Sequence, residues 1–171
     1  MSAAASEAEL PGPVVRLPVH AATASGRTLL SAFHRALLAC GVGHFNLVRL
    51  SSVIPPGVSV VPAEGVAVRG GWGDRLYCVY AEQCVTTPGE QAWAGVGWIQ
   101  RLDGGGGLLV EHEAGDEEEV VELIRASLAD MAAVEPHAFA APEWVVVGAR
   151  CEDQPVVALV IVPFVTALWE L

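Results

Sequence analysis

Residues 51–57, Ser-Ser-Val-Ile-Pro-Pro-Gly, set two adjacent hydroxyls directly before a rigid turn. A serine hydroxyl held against the carbonyl of the residue before it can attack that carbonyl and exchange the peptide bond for an ester. Base-assisted elimination then leaves dehydroalanine, and hydrolysis turns this into a pyruvoyl group. Such chemistry needs a strained or pre-oriented backbone and a partner for the oxyanion. A strand ahead of Ser51 and a Pro55-Pro56 turn behind Ser52 are elements that can fix such a backbone. The same seven residues also fit an ordinary turn opening, because serine and proline are common turn residues.

A second candidate is Glu111-His112-Glu113. In a strand, Glu111 and Glu113 share one face and His112 takes the other. Leu108–Val110 before them suggest a buried approach. A carboxylate partly desolvated there would suit proton transfer. A strand running out into solvent fits the same pattern.

Other groups carry less. The Gly104–Gly107 run lacks a following Gly-Lys-Ser/Thr and opens no helix, so it reads as a loose hairpin loop and not a phosphate cradle. His20, His34, His44, His112 and His137 form no HxxxH or HxH pair, which argues against a metal site. No GxSxG elbow surrounds a serine. Cys40, Cys78, Cys84 and Cys151 have no CxxC spacing and read as reduced, buried thiols of a cytoplasmic protein.

Composition narrows the partners. The 171 residues fit one domain, with a net charge of −11 and only nine basic residues, which argues against nucleic acid as a partner and favours a cationic small-molecule ligand. Hydrophobic residues make up 53% and charged residues 17%, an apolar balance that implies a large buried interface and hence an oligomer. The longest apolar run, Val156–Trp169, is shorter than the roughly 20 residues of a membrane span and contains Pro163. Residues 1–12 have no basic region followed by an apolar core, so they read as a flexible tail ahead of a domain over 13–171.

The elements that must position the serines follow from periodicity. Val14–Val19 reads as a strand and residues 20–27 as a small-residue loop. Thr28 or Ser25 caps a helix whose Leu29, Phe33, Leu37 and Cys40 share a face, and Gly41 and Gly43 end it. Strands are expected over Phe45–Ser52, Val58–Val61, Gly65–Val68, Arg75–Ala81, Gln91–Gln100 and Leu108–Glu113. Arg75–Ala81 is apolar on both faces and so belongs between two layers. Asp116 caps a second helix with Val120, Ile124, Leu128 and Met131 as its buried stripe. Trp144–Cys151 and Val156–Val165 read as a final hairpin joined by Glu-Asp-Gln-Pro. The fold class is α+β, with helix layers outside packed sheets and no internal repeat.

"GVGHFNLVRLSSVIPPGVSVVP" resembles the self-cleavage region of the pyruvoyl-dependent arginine decarboxylases, with Gly-x-Gly, Asn-Leu, Ser-Ser-Val and Pro-Pro in order. "FHRALLACGVG", "TTPGEQAWAGVGWI", "LLVEHEAG" and the terminal "ALWEL" resemble the segments that flank it in the family. The resemblance covers roughly residues 13–171. It implies cleavage between Ser51 and Ser52, giving a β subunit of residues 1–51 and an α subunit of residues 52–171. Ser52 would become a covalent pyruvoyl cofactor, with no pyridoxal phosphate and no metal. Asn46 would support processing and catalysis, and Glu111 would be the proton donor. His34, Leu37 and Gly43 would fall at substrate-binding positions. The implied fold is an αββα sandwich, assembled as a trimer or a dimer of trimers with active sites between subunits. The implied reaction is arginine to agmatine plus carbon dioxide, through a Schiff base to the pyruvoyl group, as in polyamine biosynthesis.

One position departs from the family pattern. The helix residue matching His34 is typically an aspartate that helps bind the guanidinium end of the substrate. A carboxylate grips guanidinium through paired charge-assisted hydrogen bonds, and histidine cannot. Two alternatives to arginine decarboxylation therefore stand: the same chemistry on another amino acid, or a non-catalytic relative that keeps the fold.

Overall fold

The computed structural model describes residues 15–63 and 67–169. The expected tail over 1–12 lies outside them, as do residues 65 and 66 of the expected strand Gly65–Val68; Ala67 and Val68 are not in a strand.

Among the described residues, nine strands and two helices form two sheets with a helix packed on each, an α+β fold. The strands are β1 (Val15–Ser25), β2 (Asn46–Arg49), β3 (Val53–Ile54), β4 (Val58–Pro62), β5 (Arg75–Val85), β6 (Gln91–Gln100), β7 (Gly107–Ala114), β8 (Glu143–Arg150) and β9 (Val156–Ala167). The helices are α1 (Leu29–Ala39) and α2 (Glu117–Val134). The first sheet has the order β2-β5-β9-β1-β4 and the second β3-β7-β6-β8.

The core between the sheets is built from alternate residues. Val156, Ala158, Val160 and Val162 of β9 and Val79 and Ala81 of β5 meet Ala94, Val96 and Trp98 of β6. The opposite faces of the same strands, Val157, Leu159 and Ile161 with Leu76 and Cys78, pack under α1. β5 is thus covered on both sides, as its two apolar faces require.

Four expectations are corrected. β1 continues through the expected loop to Ser25, because His20–Ser25 pair with Val156–Ile161 of β9 and tertiary pairing overrides the weak strand propensity of alanine. The buried face of α1 is Ala32, Ala36, Leu37 and Cys40, with Leu29 exposed. The two alanines bring the helix down beside Ala22 and Ala24 of β1, which moves Leu29 to the rim. The expected strand Phe45–Ser52 breaks after Arg49, and the chain resumes as β3 in the other sheet. The expected final hairpin does not form either. β8 pairs with β6, whereas β9 pairs with β5 and β1. A strand as apolar on both faces as β9 is buried at the centre of a sheet, and the segment 151–155 carries the chain across to it.

The helix ends follow local chemistry. Thr28 caps α1 in a reciprocal box with Ser31, each backbone N–H donating to the other hydroxyl at 3.1 Å. Asp116 Oδ1 accepts the Glu119 N–H at 2.8 Å, and Val120, Ile124 and Leu128 bury the face of α2. That helix sits close because β6 carries glycine beneath it. A Cβ on Gly97 would stand 2.2 Å from Ile124 Cγ2, and one on Gly95 2.7 Å from Val120 Cγ1. Gly97→Val therefore overpacks this layer and lowers stability by about 1–3 kcal/mol, several degrees of melting temperature. Gly115→Ala, where a Cβ meets nothing within 4 Å, leaves the melting temperature nearly unchanged. Thermal unfolding followed by circular dichroism checks both.

Candidate active site

β2 is an edge strand of the first sheet and β3 an edge strand of the second. Leu50, Ser51 and Ser52 are the crossing between them. Both ends of the crossing are tied down. The Leu50 N–H donates to Cys78 O of β5 at 2.9 Å, and Ser52 O accepts the Leu109 N–H of β7 at 2.9 Å. Ser51 is the residue between these two fixed points, and it is exposed.

The strain falls on Ser52. Its φ is +66°, and it is the one non-glycine residue in the left-handed region among the described residues. A side chain in that region costs of order 1–3 kcal/mol unless its surroundings enforce it. Here they do: Ser52 O is bonded to β7, and Ser52 Oγ donates a hydrogen bond to Glu111 Oε1 on the same strand. Glu111 and Leu109 share the face of β7 that looks into the sandwich, where Leu109 joins the core between the sheets. Glu111 is half-buried beside Ser52, while Glu113 farther along is exposed. On the opposite face, His112 Nε2 lies 2.8 Å from Ser127 Oγ of α2 and is turned away from the serines.

The glycine run beside this segment has a role that its sequence did not reveal. Gly104 N–H bonds Arg101 O, and Gly104 O accepts the Gly57 N–H at 3.2 Å. A Cβ on Gly106 would stand 2.4 Å from Ile54 O. Gln100 adds a side-chain clamp, with Nε2 donating to Val58 O at 2.7 Å and Oε1 accepting the Val60 N–H at 3.3 Å. The β6–β7 loop is thus a bed for the chain just after Ser52, and glycine is needed because the backbones approach closely.

Asn46 opens β2, with an exposed side chain. Its Nδ2 donates to Gly73 O at 2.6 Å and its N–H to Asp74 O at 2.8 Å. His34, Leu37 and Gly43 lie elsewhere in the protomer. Leu37 is buried between α1 and the first sheet, and His34 is exposed on the outer surface of α1. Gly43 lies against Leu38, whose side chain a Cβ would meet at 2.7 Å. Within one chain, Ser52 and Glu111 are brought together, while no hydrogen bond joins these three residues or Asn46 to that pair among the described residues. Neighbouring Arg35 is occupied, donating to Ser25 O at 2.9 Å.

A further charged group gathers near the crossing. The Arg49 guanidinium lies 4.4 Å from the centre of the Tyr80 ring and donates to Tyr80 O. Burial raises the Glu82 pKa, Arg49 opposes that shift, and Glu113 adds to it. Asp74 is also part of the site's frame. Sequence reasoning passed over it, although aspartate directly after Gly-Trp-Gly is a signal for a turn closed by its own carboxylate.

Among the described residues, no group of three or more His, Cys, Asp or Glu is arranged to hold a metal ion, and no helix is long and apolar enough to cross a membrane.

Comparison with known proteins gives the family. The family model described as pyruvoyl-dependent arginine decarboxylase matches residues 18–166. A pyruvoyl-dependent arginine decarboxylase of Halobacterium salinarum is 40% identical over 90 residues, which cover 53% of this chain and 54% of that protein. The chain thus spans about half the length of that relative. One of Thermococcus kodakarensis is 38% identical over 109 residues, covering 63% of this chain and 67% of that protein. Among solved structures, a pyruvoyl-dependent histidine decarboxylase at pH 8 overlaps with a TM-score of 0.40 at 15% identity, over 62% of this chain and 53% of that one. The family match runs unbroken from β1 to β9 and includes the strained serine and its glutamate: this chain belongs to the pyruvoyl-dependent arginine decarboxylase family.

Proposed function

We propose that the chain cuts itself between Ser51 and Ser52 and then works as a pyruvoyl-dependent amino-acid decarboxylase, with arginine to agmatine as the family reaction. The observation that carries this reading is Ser52: left-handed, fixed through its carbonyl to β7, and hydrogen-bonded through Oγ to Glu111. Glu111 accepts the Ser52 hydroxyl proton as Oγ attacks the Ser51 carbonyl carbon. The Ser51–Ser52 C–N bond breaks, the freed nitrogen takes a proton, and an ester links Ser51 to Ser52 Oγ. Loss of the Ser52 Cα proton then breaks the Cβ–Oγ bond. This releases the Ser51 carboxylate and leaves dehydroalanine at residue 52. One water is consumed and one ammonia released in forming the ketone. Release of the φ strain favours the cut.

The residues present fit the resulting group, which is made from the atoms of Ser52 and sits where Glu111 already reaches. When formed, the pyruvoyl group supplies an electron sink for loss of carbon dioxide from a bound amino acid. Glu111, half-buried beside residue 52, is placed to return a proton to the carbon that lost carbon dioxide. Asn46 supports both steps from the start of β2. His34 and Gly43 serve substrate binding, with Leu37 buried beneath α1 as support, and an assembly with active sites between subunits gives them a route to a neighbour's Ser52. Exposed Leu30, Trp72 and Trp169 favour such an assembly, a trimer or a dimer of trimers. The four free cysteines fit a cytoplasmic setting.

After cleavage the two pieces stay joined without a covalent link. β1 lies between β9 and β4, and β2 pairs with β5, so the described residues before the cut are woven into the first sheet.

His34 favours a second reading, the same chemistry on an amino acid with a neutral or acidic side chain. Histidine offers guanidinium no paired acceptors.

Intact mass spectrometry of purified protein tests the cleavage. The expected result is two chains, with the larger one ammonia lighter than a chain beginning at Ser52. A single uncut chain after long incubation, with no carbonyl-reactive product, rejects the reading and leaves a non-catalytic relative. Ser52→Ala abolishes the cut, and Glu111→Gln slows it by about 10²–10⁴-fold, the usual contribution of a general base. A decarboxylation screen over the standard amino acids decides the substrate. If arginine is used, His34→Asp raises kcat/KM for it by about tenfold or more, the value of a charge-assisted pair. Exclusive turnover of another amino acid by the wild type establishes the second reading.

A further inference from the structure

Asp74 is the one charged residue classed as buried among the described residues, at 6% exposure, and no step above uses it. Its Oδ2 accepts the Gly71 N–H at 2.6 Å and its Oδ1 the Trp169 N–H at 3.0 Å. Those backbone donors, Gly71 first and then Trp169, hold its carboxyl below the usual carboxylate range against the opposing effect of burial; His44 and Arg75 add to the shift. Arg75 fastens the same partner, donating from Nη2 to Leu168 O at 2.9 Å with its guanidinium 5.7 Å from the Trp169 ring. One carboxylate therefore joins the turn 71–74 to the segment that follows β9.

The turn in question is the one that orients Asn46. Gly73 O accepts Asn46 Nδ2, Asp74 O accepts the Asn46 N–H, and the Gly73 N–H donates to His44 O at 2.8 Å. Gly73 itself has φ +86°, a conformation set by the way the turn closes. The Asp74 N–H closes that turn onto Gly71 O at 3.3 Å, and the Asp74 carboxylate tightens it by accepting the Gly71 N–H at 2.6 Å. The rotamer of Asn46 thus depends on a carbonyl whose direction is fixed by Asp74 and braced by Trp169.

We propose that Asp74 is a positioning residue for self-cleavage: its carboxylate holds the turn 71–74, and through Gly73 O it holds the Asn46 amide in the orientation that cleavage requires. The proposal rests on the reading above, in which the chain cuts itself with the support of Asn46. Asp74→Asn keeps the size but replaces one acceptor with a donor facing a backbone N–H. Trp169→Pro removes the other N–H directly, because proline has none.

The test is a time course of cleavage by intact mass for wild type, Asp74→Asn, Trp169→Pro, Asn46→Ala and the two doubles with Asn46→Ala. All are measured well below their melting temperatures. The expected result is about a tenfold slowing in Asp74→Asn and a smaller slowing in Trp169→Pro, both of which vanish in the Asn46→Ala background. Non-additivity of this kind identifies residues acting through one another. A merely structural role would lower the melting temperature and slow cleavage equally in both backgrounds, and that outcome overturns the proposal. So does wild-type cleavage speed in Asp74→Asn. Should Asp74→Asn fail to fold, Trp169→Pro and its double decide alone by the same criterion. A wild-type chain that never cleaves overturns the underlying reading, whereas cleavage with additive effects overturns only the role of Asp74.

Discussion

The crossing from one sheet to the other at Leu50-Ser51-Ser52 depends on two backbone hydrogen bonds, from Leu50 to Cys78 and from Leu109 to Ser52. Between them there is room for a single unconstrained residue. The backbone accommodates this by setting Ser52 at φ +66°. Most of the surrounding architecture exists to hold those two points. β5 and β9 fix the first sheet, α2 on Gly95 and Gly97 fixes β6 and β7 in the second, and the glycine loop with Gln100 supports the chain after the crossing. A left-handed serine persists because both of its neighbouring strands are already committed elsewhere.

The same constraint explains why Ser52 and Glu111 sit at an edge and not in the core. A crossing between sheets happens where strands end, and edge strands have unpaired backbone on one side. β2 and β3 are both short edge strands, and the core between the sheets comes up to Leu50 and Ile54 on either side of the serines. Glu111 is therefore half-buried, close to the core and still open to solvent. The exposed face of α1, which carries His34, belongs to a different layer of the molecule. The single chain thus keeps the serine apart from His34.

Asp74 illustrates how distant segments enter the same frame. A carboxylate desolvated at 6% exposure must be compensated by donors, and Gly71 and Trp169 supply them from its own turn and from the end of β9. Asn46, in the portion before the proposed cut, is held by that turn in the portion after it. The first sheet and this small polar network together keep the two portions aligned.

Much was legible in the residues. The caps Thr28 and Asp116, the stripe Val120-Ile124-Leu128, the two-faced strand β5 and the bounds of β6 follow from local rules, because side-chain period and capping chemistry act over a few residues. The order Asn46, Ser51-Ser52, Pro55-Pro56, Glu111 was sufficient to indicate the family. Pairing was not legible. Periodicity does not say which strand lies beside which, so β8 and β9 read as a hairpin and 20–25 as a loop, until β9 took the central place that its apolar faces demand. Nor could sequence give the handedness of Ser52 or the contact of its hydroxyl with Glu111 fifty-nine residues on. Those are set by where two sheets meet, a property of tertiary packing that no local pattern encodes.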